Sequence, residues 1–276
     1  MHKPTIQEVG AYYDMLNPFY ETLWGDSIHF GYWSDPTNPA ISMDEAQRAF
    51  TDLLIQQLNV QPGMRVLDVG CGTGRPAIQV VEKTGALVTG ITVSAEQVRI
   101  ATERAQASAH PQLLAFEQVN AMEMPFDDNS FDAAMAFESV FHMDRMRVFS
   151  EMARVVRPGG RVVVADFVTV RPMTQEEIDI TYPAFAVNDI GSWQDYLDGL
   201  KEVGLTDTYV IDVTLNTIRP TNVATLHAFK APEQQARLHE IYGEDQTRAF
   251  FEGWQRIRNV NETLAYVVCV ATCPEK

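Results

Sequence analysis

With 276 residues, 46% of them hydrophobic and 21% charged, the chain holds enough apolar material for one substantial core, alone or with an inserted cap. A formal net charge of -16 weighs against nucleic acid or an anionic membrane surface as a partner, because such binding draws on clustered Lys and Arg. Cys71, Cys269 and Cys273 form neither an even disulfide framework nor a C-x-x-C pair, and no stretch approaches a secretory h-region or a membrane span; a reduced, cytoplasmic setting is expected.

An aromatic-rich leader, AYYDMLNPFYETLWGDSIHFGYW, precedes helix-like apolar spacing from Asp44 to Leu58. From about Met64 to Val170 short β-branched runs alternate with helical patterns, as in a parallel α/β sheet. MRVLDVG reads as the first strand, Arg75 to Lys83 as a helix, ALVTGITV as the second strand and Ala95 to Ala107 as a helix. LLAFEQVN and FDAAMAFES supply the third and fourth strands, Arg145 to Val156 a helix and GRVVVADFV the fifth strand. The PGG at Pro158 to Gly160 reads as the turn between that helix and strand.

After Arg171 the alternation stops. A helix is expected at Trp193 to Val203, a strand in TDTYVIDVTL, mostly helix from Pro220 to Val260 and a last strand in ETLAYVVCVAT. The reading is one compact unit in three segments: a helical leader (1-60), an α/β core (61-170), and the rest of the sheet with an inserted helical cap (171-276). The leader and the late insertions are the candidates for a lid.

Asp68-Val-Gly70-Cys-Gly72-Thr-Gly74 lies between a strand exit and a helix start, where an open parallel sheet binds its ligand. Glycines there admit backbone dihedrals closed to other residues and let the chain approach a ligand closely. A dinucleotide fingerprint, G-x-G-x-x-G, would need a glycine at position 75, where the chain has Arg75.

The G-x-G-x-G spacing, preceded by an acidic residue two positions earlier, resembles motif I of class I S-adenosylmethionine-dependent methyltransferases. The resemblance continues through NAMEMPFDDNSFDAAMAFESVFHM and EMARVVRPGGRVVVADF, and the leader ending IHFGYW is similar to small-molecule, natural-product members such as the rebeccamycin-type sugar O-methyltransferases. It implies a Rossmann-like fold with a mostly parallel seven-stranded sheet, helices on both faces and a helical lid. It also implies S-adenosylmethionine as cofactor and a small-molecule acceptor, with self-association left open. On this pattern Asp68, Gly70, Gly72 and Gly74 face the methionine part of the cofactor, Asn120, Ala121 and Met122 form the adenine turn, and His29 and Tyr32 reach the amino-acid end. Most members carry an acidic residue for the ribose hydroxyls where this chain has Thr92, so Gln97 is expected to share that role; a plain strand end and helix surface is the equal alternative. Asn120 replaces a frequent Asp, and its side-chain carbonyl can still accept from the adenine amino group.

A hydroxyl acceptor needs a destination for its proton, and histidine titrates near neutrality. His142 follows the fourth strand at the edge that carries the glycine loop, and Asp166 lies near the carboxyl end of the fifth, so Asp166 is expected to orient His142 as general base. The bland alternative is a capping histidine and a strand-end carboxylate. Glu138 is the third candidate, binding polar groups in O-methylation, or balancing a carbocation or taking the final proton in C-methylation of a prenyl chain. Sugar-modifying relatives often have two adjacent histidines where this chain has Phe141-His142, and the Phe141 ring would hold an apolar acceptor or stabilise a developing cation. Tyr182, Phe185 and Trp193 are candidate acceptor contacts. For these, as for leader aromatics such as Tyr12 and Tyr13, packing is the commoner role.

The function expected is O-methylation of a sugar or polyketide hydroxyl on a small, partly apolar natural product. The alternatives are C-methylation of a prenyl or terpenoid acceptor and a non-methylating cyclase or accessory protein. No carboxylate and histidine cluster has metal-ligand spacing, so the reaction is expected to be metal-independent. Turnover assayed with a strong chelator should be unchanged; complete loss restored by magnesium would overturn this.

Overall fold

The strand order, β3-β2-β1-β4-β5-β7-β6, reverses direction between β1 and β4, and this reversal sets where a ligand can sit. The computed structural model describes residues 3-38 and 40-275, so the outermost positions of the leader and of the last segment lie outside the described residues. In chain order the elements are α1 (Ile6–Trp24), α2 (Met43–Leu58), β1 (Arg65–Val69), α3 (Arg75–Thr84), β2 (Leu87–Thr92), α4 (Ala95–Ala107), β3 (Leu114–Gln118) and β4 (Phe131–Phe137). There follow α5 (Arg145–Val155), β5 (Val156–Thr169), α6 (Gln175–Ala184), α7 (Trp193–Glu202), β6 (Thr206–Asp212), α8 (Thr214–Lys230), α9 (Pro232–Tyr242), α10 (Glu244–Asn261) and β7 (Leu264–Thr272).

The seven strands form one sheet. β1 to β5 pair in parallel, whereas β7 runs antiparallel to both β5 and β6, so the sheet is mixed. β7 is buried over nearly its whole length, which explains why LAYVVCVAT is a continuous apolar run rather than an alternating one. In the strands flanking the switch, alternate residues go to opposite faces. Val66, Met135 and Val163 meet α1 and α2 through Leu16, Phe19, Phe50 and Leu54, while Leu67, Ala134 and Val162 meet α5 and α7 through Phe149, Met152, Tyr196 and Leu200.

The PGG segment departs from its expected role. β5 begins at Val156, directly after α5, and the PGG lies inside the strand. Gly159 donates its N–H to the Cys273 carbonyl, and Cys273 donates to that of Gly160, which keeps both glycines in the sheet. The register with β4 slips here, and a Cβ on Gly160 would lie 2.4 Å from the Asp132 carbonyl oxygen. The glycines therefore make a bulge that lets two backbones meet.

Capping boxes start α1 at Thr5 and Glu8, α2 at Ser42 and Glu45, and α6 at Thr174 and Glu177. α1 lies over the carboxyl edge of the sheet and is tied down along its length. Gly10 approaches the Val93 carbonyl, Ser94 donates to Asp14, and Trp24 Nε1 donates to Thr225 Oγ1 of α8 at 2.9 Å. Among the described residues no helix is long and apolar enough to cross a membrane.

Phe50, fully buried, packs its ring 4.8 Å from that of Phe137 and 5.2 Å from that of Tyr266, joining α2 to β4 and β7. Phe50→Ala should cost about 3–5 kcal/mol in urea unfolding, the range for truncating a buried aromatic; a loss under about 1 kcal/mol would refute this packing.

Candidate active site

β1 leaves the sheet at Val69, and the chain turns through Gly70 (φ 77°) and Gly72 (φ 52°) into Gly74 (φ 83°), which starts α3. Gly70 has a second constraint: a Cβ there would lie 2.3 Å from the Ser139 side chain. Ser139 Oγ donates to the Val69 carbonyl at 2.7 Å, so the exits of β1 and β4 are held together. At the crevice between them lies a cavity of about 320 Å3, whose outer wall is the start of α1, from Thr5 through Val9 to Tyr13.

Asp68 lines this cavity, is 1% exposed, and has no partner at Oδ2. Burial pushes its carboxyl up to about 7. His29 faces the same space with its ring stacked 3.9 Å from Phe137. Its Nδ1 lies 2.7 Å from the Phe30 carbonyl, which can only accept, so Nδ1 carries the proton and the unpartnered Nε2 is a bare acceptor. Burial lowers the His29 pKa to about 4. Two orphaned acceptors, one of them an acid, fit the ammonium end of an amino-acid ligand.

Thr92 and Gln97 also line the cavity, and they bond to each other, Thr92 Oγ1 donating to Gln97 Oε1 at 2.6 Å. Asn120, Ala121 and Met122 form a turn against it, in which Asn120 Oδ1 accepts from the Met122 N–H at 3.0 Å and keeps one lone pair free. Tyr32, expected beside His29, is absent from the wall. Its N–H donates to the Ala46 carbonyl, and its ring packs 6.1 Å from Phe50, because the leader turns onto α2 after Phe30.

The β4 exit supplies the acid and base groups. Glu138 has φ 49°, a left-handed conformation unusual for a side chain of its size, and it lines the cavity. Its Oε1 accepts from the Phe30 N–H at 2.6 Å and from Tyr266 Oη at 2.7 Å, yet burial still raises its pKa to about 8. His142 ends a short 3-10 turn. Its Nδ1 faces the Ala186 carbonyl at 3.0 Å, which fixes the proton there, so Nε2 accepts from Tyr13 Oη at 2.7 Å. Burial lowers the His142 pKa to about 4.

Asp166 does not touch His142, contrary to expectation. Both its oxygens are committed, Oδ2 to Tyr196 Oη at 2.9 Å and the Phe141 N–H at 3.2 Å, and Oδ1 to the Phe167 N–H at 2.9 Å. It braces the turn that carries His142, and the backbone of Ala186 orients the imidazole in its place. Tyr13, Tyr196 and Tyr266 were the partners hidden from sequence, since each comes from a distant element as one aromatic among many.

A second cavity, of about 30 Å3, adjoins the first and shares Tyr13, Ile28 and Glu138 with it. Phe141 and Phe185 line it, together with Tyr20, Trp24, Phe30 and Phe167. Tyr182 stands behind the wall, its hydroxyl accepting from the Ile190 N–H. Trp193, at the first turn of α7, is 47% exposed and lines neither cavity; it shares the helix face of Tyr196 and Leu200 but sits at the open N-terminal end of that face. Among the described residues no group of three or more His, Cys, Asp or Glu is gathered to hold a metal ion.

The family model for mycolic acid cyclopropane synthetase matches residues 1–259. The chain is 37% identical over 272 residues to (+)-O-methylkolavelool synthase of Herpetosiphon aurantiacus, covering 98% of this chain and 95% of that one. It is also 37% identical over 247 residues to 27-O-demethylrifamycin SV methyltransferase of Amycolatopsis mediterranei, covering 87% and 88%. The crystal structure of the [4+2]-cyclase SpnF superposes with a TM-score of 0.84 at 29% identity, over 100% of this chain and 99% of that one. The chain thus belongs to the mycolic acid cyclopropane synthetase family and is an S-adenosylmethionine-dependent class I methyltransferase.

Proposed function

We propose that the enzyme methylates a hydroxyl group of a small, largely apolar natural product, with His142 Nε2 receiving the proton. The observation that carries this reading is the fixed tautomer of His142: Nδ1–H is held by the Ala186 carbonyl, and a basic Nε2 is directed at Tyr13, which walls both cavities. The bound cofactor supplies an electrophilic methyl group on a sulfonium centre. Asp68 and His29 would hold its amino group, and Asn120 to Met122 would hold its adenine. The acceptor lies in the aromatic cavity with its hydroxyl beside Tyr13, and its proton passes to Nε2 directly or through the tyrosine hydroxyl. The Ala186 carbonyl then steadies the imidazolium. Glu138, largely protonated at neutral pH, orients polar groups rather than taking the proton. The start of α1, with α6 and α10 beside the second cavity, serves as the lid that excludes water.

An aromatic wall suits an isoprenoid or polyketide alcohol better than a sugar, and the full-length likeness to (+)-O-methylkolavelool synthase supports that choice. The same wall is the one observation favouring carbon methylation, since Trp24, Phe30, Phe141 and Phe167 would stabilise a carbocation. Incubation with 13C-methyl cofactor and a panel of terpenoid and polyketide alcohols separates the readings. A methoxy signal is expected, a C-methyl signal would favour the second reading, and turnover of an acceptor without label would favour a cyclase.

Three outcomes are expected of the site residues. His142→Gln should lower kcat by roughly 10²–10⁴-fold with cofactor binding intact, the usual worth of a general base; unchanged turnover would remove His142 from the chemistry. Because burial depresses the His142 pKa to about 4, the base stays unprotonated across the neutral range, and kcat should fall only as the pH drops toward 4. An acidic limb near 6.5 would point to an exposed base instead.

Asp68, at about 7 before the ligand binds, must ionise to pair with an ammonium group. S-adenosylhomocysteine binding should therefore release a proton between about pH 4 and 7 and tighten as the pH rises through that window. Calorimetry in buffers of different ionisation enthalpy reads this, and Asp68→Asn should abolish the release.

A further inference from the structure

Two buried polar side chains in the second cavity take no part in the chemistry described above. Thr181 of α6 and Asn261 of α10 both line it, each is 1% exposed, and neither Thr181 Oγ1 nor Asn261 Nδ2 has a partner among the described residues. Thr181, like Thr217 of α8, departs from the usual habit of helical threonines in this chain, and of the two only Thr181 lines the second cavity. Thr22, Thr51, Thr225 and Thr247 each turn their hydroxyl back to a carbonyl one helical turn earlier, the usual recourse of a threonine in a helix. Leaving a buried donor or acceptor unpaired costs stability, and two such atoms in one aromatic cavity mark a place where a ligand completes the bonds.

Their position along the sheet sets the distance from the reacting end. Glu138 donates its N–H to the Ala165 carbonyl, whereas Leu264, which lines the cavity just after Asn261, pairs with Thr169. Four residues of strand separate those levels, so the Leu264 end of the cavity, where α10 hands over to β7, lies on the order of 10 Å beyond the Glu138 backbone along the strand direction. Between them the wall is aromatic and aliphatic, with Phe141, Phe167, Val187 and Ile190.

We propose that Thr181 and Asn261 form a distal anchor for a second oxygen of the acceptor, so that the substrate is an apolar skeleton with a hydroxyl, ether or carbonyl remote from the methylated hydroxyl. An amide N–H donor beside a hydroxyl matches an oxygen that accepts, and at a carbonyl or ether oxygen both groups donate. This rests on the second cavity being the acceptor site. A cavity of about 30 Å3 admits little more than a water or two, so the wall must move outward when the skeleton enters.

The test uses straight-chain 1-alkanols and the matching α,ω-diols of six to twelve carbons (roughly 8–14 Å between the oxygens, taking about 1.1 Å per bond from the three-bond rise of an extended strand), with binding read from tryptophan emission, since Trp24 is part of the wall, in the presence of S-adenosylhomocysteine. A purely apolar site would bind each diol about tenfold or more weakly than its alkanol, because the second hydroxyl loses water without a partner. The proposal predicts that at some length the diol binds at least as tightly as the alkanol. Thr181→Val and Asn261→Leu should each restore the tenfold penalty while leaving alkanol affinity within about threefold, and Thr181→Ser should keep the preference. Both apolar variants should also melt no lower than the parent.

A diol that is weaker at every length, a preference that survives both variants, or a fall in melting temperature showing that the two groups hold a structural water, overturns the proposal. Failure of methyl transfer to any alcohol would sink the O-methylation reading and leave the diol preference standing, so the two ideas fail separately.

Discussion

The site depends on how closely the ends of β1 and β4 approach one another. Gly70 has no side chain because the Ser139 side chain occupies the space a Cβ would need, and the Ser139 hydroxyl bonds the last carbonyl of β1. With the two exits joined, the glycine loop and the turn after β4 open into one crevice instead of two loop ends. Glu138 leaves β4 in a left-handed conformation one residue earlier, which turns its carboxyl toward the same space as Asp68. The start of α1, laid across the opening, then places Tyr13 against His142.

Desolvation governs the electrostatics of that crevice more than charge pairing does. Asp68, Glu138 and Asp166 are pushed upward and His29 and His142 downward, in each case with burial as the leading cause. Asp68 and Glu138, which line the crevice, can give up protons that burial helps to hold on them, while the His29 and His142 imidazoles remain acceptors through the neutral range, so the site is suited to a cation.

The sheet core was legible in sequence because its strands are buried on both faces and separated by capped helices, so βαβ alternation and the glycine loop point to the same fold. The motif spacing did bring together the residues it singled out: Asp68, Gly70, Thr92, Gln97 and the turn at Asn120 all reach one cavity. What failed was pairing across distance. Asp166 and His142 share an edge in sequence terms, but strand alternation sends the carboxylate to Tyr196 and leaves the histidine to a backbone carbonyl from the loop after α6. Tyr32 and Trp193 lie off both cavities for a related reason, since an aromatic in a leader or in a helix's first turn carries no sign of whether it reaches a ligand space. The PGG was misread because a turn and a glycine bulge look alike until the strand that bonds them, here through Cys273, is known.

The antiparallel insertion of β7 has a bearing on how the chain reaches this state. Among the described residues β6 pairs with no strand but β7, and β5 gains its second neighbour only when Ala165 meets Val268, on the far side of five helices. Closing so long a loop is entropically costly and must precede any reward from the contacts it brings. The parallel half of the sheet, with its local βαβ units, can therefore assemble early, while the edge of β5 stays open. Tyr266, which bonds Glu138, rides on β7, so the crevice beside the glycine loop is complete only once that long-range pairing is made.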